Sequence, residues 1–445
     1  MDAVRDTLAS HLAGYETFAR GLDRQPAHVV ALRRNGLERF STLGFPTPRQ
    51  EAWRKTNVRR IAQGSFVRSP RPAAVDRARV APFAVPGAVE LVLVGGRRVA
   101  ALERSATALP EGVVVTSLAE AIIAYPALVE AHLGRYAPID EHPFAALNQA
   151  WLEDGAFVYV PRGVVVEAPV HLLLLGDQPG EHASVSYPRN LIVAEESSQV
   201  TVVETYAGHS GAHYFTCSVT EIVAGENAVV DHYKLQEEST DAFHIALQQS
   251  HQARASNVFS HSLSHGGALV RNDIRAMLAG EGIECTLNGL YLGRGQQHVD
   301  HHMWVDHAFP HCHSYELYKG VLEDRAHAVF NGTIHVHQDA QKTDAKQSNR
   351  NLLLSDQAQV SSNPQLIIFA DDVRCTHGST TGHLEDEAIF YLRSRGISEQ
   401  AAKSLLTYAF AAEVLQEIRL DAIRTGFEEF LFTRLPKGDV VRQAV

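Results

Sequence analysis

The sequence predicts a mainly β chain, a stack of short strands with helical regions at both ends. Two observations carry this. From Ala156 to about residue 393, short extended runs such as AFVYV, NLIVAEESSQVTVVETY and LNGLYLG alternate with polar or glycine-bearing turns, and helical spacing disappears. Within that region, polar turns beginning at Asp324, Asp339, Asp356 and Asp372 lie 15, 17 and 16 residues apart, each after an apolar run. A near-constant period implies one stackable unit that buries its apolar face against the next, which is a solenoid. An irregular β sandwich is the alternative that pattern alone leaves open.

The elements follow in order. Residues 1–155 read as a mostly helical N-terminal region with a small αβ segment. Leu8, Leu12, Tyr15, Phe18 and Leu22 recur at helical spacing. Gly36 and the Gly44-Phe-Pro-Thr-Pro stretch are expected to interrupt the helix, and residues 64–88, rich in Pro, Arg and Ala, form a connector. ELVLVGGRRVAAL suggests two short strands about Gly95-Gly96. SLAEAIIAYPALVEAHL and HPFAALNQAWLEDG suggest helices, the second closing at Gly155. Residues 156–393 form the β core and residues 394–445 a C-terminal helical region. There Ser398 is the expected N-cap, with Ala402, Leu405, Leu406, Ala409, Phe410 and Val414 on one stripe. A second helix from about Leu420 carries Ile423, Phe427, Phe430 and Leu431.

Composition narrows the function classes. A chain of 445 residues with net charge −11 is poorly suited to nucleic acid or an anionic membrane. It has no run of about 18 apolar residues and no uninterrupted apolar leader at the N-terminus, so the expectation is a cytoplasmic protein. Four dispersed cysteines (Cys217, Cys285, Cys312, Cys375) fit a reducing compartment. No phosphate-binding G-x-x-x-x-G-K-[ST] and no G-x-S-x-G is present, so the chain is expected to be no enzyme, and any ATP would be hydrolysed by another chain.

The stretch 364–396, PQLIIFADDVRCTHGSTTGHLEDEAIFYLRSRG, holds the sharpest chemistry. If it is extended about Cys375 and His377, a thiol and an imidazole one residue apart face the same way. Both suit iron or zinc. Two ligands cannot close a four-coordinate site, so a partner would complete it; a plain structural role is the alternative. This stretch, with ECTLNGLYLGRGQQHVDHH (284–302), YKGVLEDRAHAVFNG (318–332), AQKTDAKQSNRNLLLSDQAQV (340–360) and, more weakly, FSTLGFPTPRQEAWRKTNV (40–58), resembles the SufD family, subunits of the SufBCD iron–sulfur cluster assembly complex.

That resemblance implies a right-handed parallel β-helix core and a scaffold role. It implies pairing with a SufB-like paralogue and docking of a SufC-like ABC ATPase through the C-terminal helices, here around Leu405, Leu406, Phe410 and Phe427. It further implies that His377 and Cys375 face the partner where a transient iron–sulfur cluster forms, with no cofactor held tightly by the isolated chain. The assembled complex could carry a flavin and the isolated chain could form a homodimer. A SufB-type paralogue is the rival within the family.

A rival of another class is a histidine-rich, metal-dependent β-helix enzyme. The chain has 24 histidines, and HVDHHMWVDHAFPHCHS concentrates six of them with Cys312. Its spacing matches no zinc finger or H-E-x-x-H pattern. His298, His301 and His302 are the candidate ligands there, against histidines stacked in hydrogen-bonded ladders. His335 and His337 read as a solvated pair on one strand face. Cys285 is a candidate sulfur carrier without a matching motif, and Cys217 and Cys312 read as small strand residues.

Overall fold

The structure, a computed structural model, describes residues 10–22, 25–68, 75–104, 107–176 and 182–444; Leu8, from the expected first helix, lies outside them. The chain is a two-sided parallel β-solenoid of about seven turns, flanked by helices at both ends.

Each coil contributes one strand to each of two sheets, of eleven and ten strands among the described residues. His327 stacks on His298, 29 residues earlier, so the period of about sixteen read in the sequence is one strand plus one turn, half a coil. The corners repeat as strictly as the strands. Ser197, Asn227, Ala255, Gly282, His311 and Lys342 occupy successive corners with φ of 56–70°, and each donates its backbone N–H to a carbonyl of the next coil. Side chains alternate between a packed interior and an outer face. The interior is apolar at its start (Val158, Leu172, Ile192, Val202) and admits polar groups further along (Asn272, His301, Glu316, Gln347), each hydrogen-bonded to an interior neighbour.

Helices and loops cover the eleven-stranded sheet on the N-terminal side. Gly36 does not interrupt the helix Ala27–Leu43; it lets that helix meet the buried helix Pro143–Ala150, where a Cβ would sit 2.5 Å from the Ala150 nitrogen. Gly44, at φ 63°, ends it. Asn148 secures Pro143–Ala150 to the solenoid, its amide donating to the carbonyls of Pro188 and Cys217. The strands Val89–Val94 and Arg97–Arg98 form the expected antiparallel hairpin. Pro126 divides the next expected helix into Leu118–Ala124 and Pro126–His132.

The strand texture expected to run to 393 stops at Gly382. Residues Asp386–Ser394 are helix, with Asp386 and Glu387 in the first turn and Ile389 buried. The short aromatic run Phe390-Tyr391 resembles a strand, but it decorates a helix surface. Ser398 caps the helix Glu399–Leu415 as expected, its Oγ accepting from the Ala401 nitrogen. This helix and Asp421–Arg434 lie on the outer face of the ten-stranded sheet, where Tyr408, Val414, Ile423, Phe427 and Leu431 pack on Tyr233, Leu263, Leu290 and Leu317.

Candidate functional site

The last coil is built from Gln359–Ile368 in one sheet and Arg374–Gly382 in the other, and each is the terminal strand of its sheet. Each has a neighbour on one side only, so each presents a row of unpaired backbone groups, the arrangement that invites another strand.

Register then decides which way Cys375 and His377 point. Cys375 lies opposite Ala345 and His377 opposite Gln347, both inward-facing and buried. The two residues therefore sit on the interior face of the terminal coil, as does Ser379, whose hydroxyl bonds Ser362 across the interior at 2.8 Å. They are open to solvent because, among the described residues, no further coil covers them. Cys375 is half-covered by Ile334, Val336, Ala340 and Ala345, while His377 is exposed. Burial pushes the Cys375 thiol above its ordinary range, a backbone hydrogen bond with Ala345 working against it. It is a thiol until a metal or cation favours the thiolate.

Beneath His377 the interior row continues through Gln347 to Glu316. Gln347 Nε2 donates to Glu316 Oε2 at 2.7 Å, and burial raises that carboxyl to about 8. Beneath Cys375 the row runs Ala345, Ser314, Cys285, so the two cysteines share one interior line three coils apart. Large apolar side chains are exposed at the end of the first of these strands, Ile368 and Phe369 (62 % exposed), and on the helix that follows the second, Phe390 (72 % exposed) and Tyr391.

A model of the SufBD core domain of SUF-system FeS cluster assembly matches residues 176–410, and one of the SufBD N-terminal region matches residues 9–172. The chain belongs to the SufBD family. It is 32 % identical to the iron–sulfur cluster assembly protein SufD of Escherichia coli over 94 % of this chain and 95 % of that one. A SufBD family protein of Synechocystis is 32 % identical over 89 % of each chain, and SufD of Bacillus subtilis 27 % identical over 90 % of this chain and 92 % of its own. The chain is thus a SufBD-family iron–sulfur cluster assembly protein, related to SufD. Among its described residues, no helix is long and apolar enough to cross a membrane.

Within this SufBD chain the histidine-rich segment does not converge on one point. His301 faces the interior, stacked on Tyr291 and accepting from the Asn272 amide, and burial lowers it to about 3. His298 and His302 face the other way. His298 bonds Thr56 and His327, with burial lowering it to about 4, while His302 lies 3.3 Å from Asp300. Alternation along a strand separates them: odd and even positions cannot share a face.

His335 and His337, expected to be merely solvated, both bond Asp306 at 2.8 and 2.7 Å. The sequence could not signal that pairing, because Asp306 lies one coil away. Cys217 is a buried strand residue, but Cys312 occupies a corner turn, its Sγ donating to the Gly280 carbonyl. Cys285 is wholly buried and its thiol is pushed up to about 12.

The four residues expected to dock an ATPase lie in or beside the helix–sheet seam. Phe427 is 5 % exposed and occupied within the chain; Leu405 and Phe410 pack at the seam's edge, and Leu406 is half-buried. Lys319 anchors the helix Glu399–Leu415 by donating to the Phe410 carbonyl and pairing with Glu413. Burying Phe427 leaves the outward side of these helices, including Lys403, Ala409 and Gln416, facing solvent.

Proposed function

We propose that this chain is a scaffold subunit that stacks its open terminal coil on a SufB-like partner, with a nascent iron–sulfur cluster held at the seam. One observation carries this reading: Cys375 and His377 are interior residues of a coil that has no cover. A partner that continued the stack would pair both free strand edges, bury exposed apolar side chains such as Phe369, and enclose a thiol and an imidazole that by themselves fill half of a four-coordinate site. Desolvation at such a seam would hold Cys375 as the thiol still more firmly, and it is the iron cation that would favour the thiolate.

The C-terminal helices would receive a SufC-like ATPase on their outward side, since their inward side is spent on the sheet. ATP-driven movement there would bias the seam through the helix–sheet contact at Lys319 and Glu413, a coupling between sites with no bond made or broken by this chain.

The test is His377→Ala in a complex co-produced anaerobically with SufB-like and SufC-like chains. The exposed imidazole contributes nothing visible to the fold, so the complex should assemble in full yield while its iron and sulfide content falls several-fold. Unchanged iron and sulfide in an intact variant complex would remove His377 from the site.

A further inference from the structure

We propose that Asp306, His335 and His337 form a binding site for a divalent first-row transition metal on the outer face of the eleven-stranded sheet. The inference stands on these three residues alone and does not depend on the cluster-assembly reading.

The donor atoms are already gathered. Asp306 Oδ1 lies 2.8 Å from His335 Nδ1 and 2.7 Å from His337 Nε2, and the three ligand atoms fall within 4.8 Å of one another. Among the described residues this is the one group of three histidine, cysteine or carboxylate side chains that converges in this way. Bonds of about 2.0–2.2 Å from one metal to nitrogen and oxygen place neighbouring donors roughly 3 Å apart. Small side-chain rotations would therefore admit an ion without moving the backbone.

The backbone that holds them is rigid. Asp306 and His335 are direct partners in the parallel ladder, and His337 follows two residues on, its N–H bonded to the His307 carbonyl, so all three share the outer face. Trp304 and Phe369 flank His335, each with ring centroids 5.7 Å from its imidazole. Asp306 and His335 side chains are 15 % and 20 % exposed and His337 44 %, so the site is walled on one side and open to solutes on the other.

Two imidazoles and one carboxylate suit iron(II), cobalt(II) or zinc, and three protein donors leave positions for water or another ligand. Such a site holds a labile ion. On binding, each imidazole presents a lone pair where it now donates to Asp306, its proton moving to the other ring nitrogen or to solvent.

The experiment uses the full chain, stripped with EDTA and titrated with Co²⁺ while its visible d–d absorption is followed, then with Zn²⁺ in competition. The wild type should bind Co²⁺ in an intense low-symmetry band that Zn²⁺ abolishes. Asp306→Asn and His335→Ala should each weaken binding by about 100-fold or more, since losing a direct ligand costs no less than losing a group that merely supports one. His209→Ala, at an exposed histidine outside both sites, should leave it unchanged. Zn²⁺ should also raise the melting temperature of the wild type but not of Asp306→Asn; should that variant misfold, the exposed His337→Ala replaces it. No uptake by the wild type would overturn the proposal. So would uptake that survives in Asp306→Asn/His335→Ala, or that disappears in His209→Ala.

Discussion

Cys375 and His377 owe their exposure to position rather than polarity: each occupies a register that is buried in every coil before theirs. The same interior row holds Glu316, whose burial keeps its carboxyl protonated up to about pH 8. The native state therefore keeps a proton that the unfolded chain, with an ordinary value of 4.5, has released. The sign follows: stability from this group is complete below the unfolded value and is lost as pH rises through the folded one. Glu316→Gln, isosteric with the protonated acid and able to keep the contact with Gln347, should remove that loss. Thermal melts should give nearly equal midpoints for variant and wild type at about pH 5, with the variant increasingly favoured towards pH 8. A constant difference across that range would show that Glu316 is ionised inside the fold. None of this was legible beforehand, since a glutamate in YELYKG looks like any solvent-facing strand acid.

At the scale of elements, the C-terminal helices behave as a lid fastened to one sheet rather than as a free arm. Phe427 fills the seam beside Leu431, Ile423 and the stacked ring of Phe430 on His265. Phe427→Ala should cost about 3–5 kcal/mol if the seam cannot collapse. Urea denaturation would measure the loss, and hydrogen exchange should show it concentrated in residues 399–444. Loss spread evenly over the solenoid would mean the helices and strands unfold as one unit. The helix Glu399–Leu415 was readable from its apolar period, but its buried face was not: Ala402 and Val414 of the expected stripe are buried, Leu405, Leu406 and Phe410 are half-buried, and Ala409 faces solvent. The helix Asp386–Ser394 was not readable, because its aromatic residues face solvent and carry no helical period. Gly36 misled for the opposite reason: a residue that usually weakens helices is used here for close approach of a second helix.

At the scale of the whole molecule, the two ends of the solenoid differ: short antiparallel strands stand at its start and long parallel ones at its end. Val114–Ser117 and Arg97–Arg98 pair antiparallel at the first strands of the two sheets, whereas Gln359–Ile368 and Arg374–Gly382 end in free edges. A monomer rarely leaves two adjacent strand edges uncovered beside exposed aromatic side chains. Phe369→Asp with Phe390→Asp should leave folding intact, since both rings are exposed, but weaken pairing with a SufB-like chain. Each buried phenylalanine is worth about 1.5–3 kcal/mol, so the loss should reach about 100-fold or more in Kd. Size-exclusion chromatography with light scattering on the co-produced pair would report it, and full pairing by the double variant would place the interface elsewhere.

The sequence by itself determined the class of fold, the half-coil period, the helical ends and the pair Cys375–His377, because each depends on neighbours within a few residues or on short motifs. It could not decide which face a strand side chain meets, nor which residues a full coil apart come together. Those follow from register, and a shift of one residue reverses every side chain. Hence the tertiary structure alone separated His301 from His298 and His302, and committed Phe427 to the chain's own seam. It alone joined Asp306 to two histidines 29 and 31 residues away.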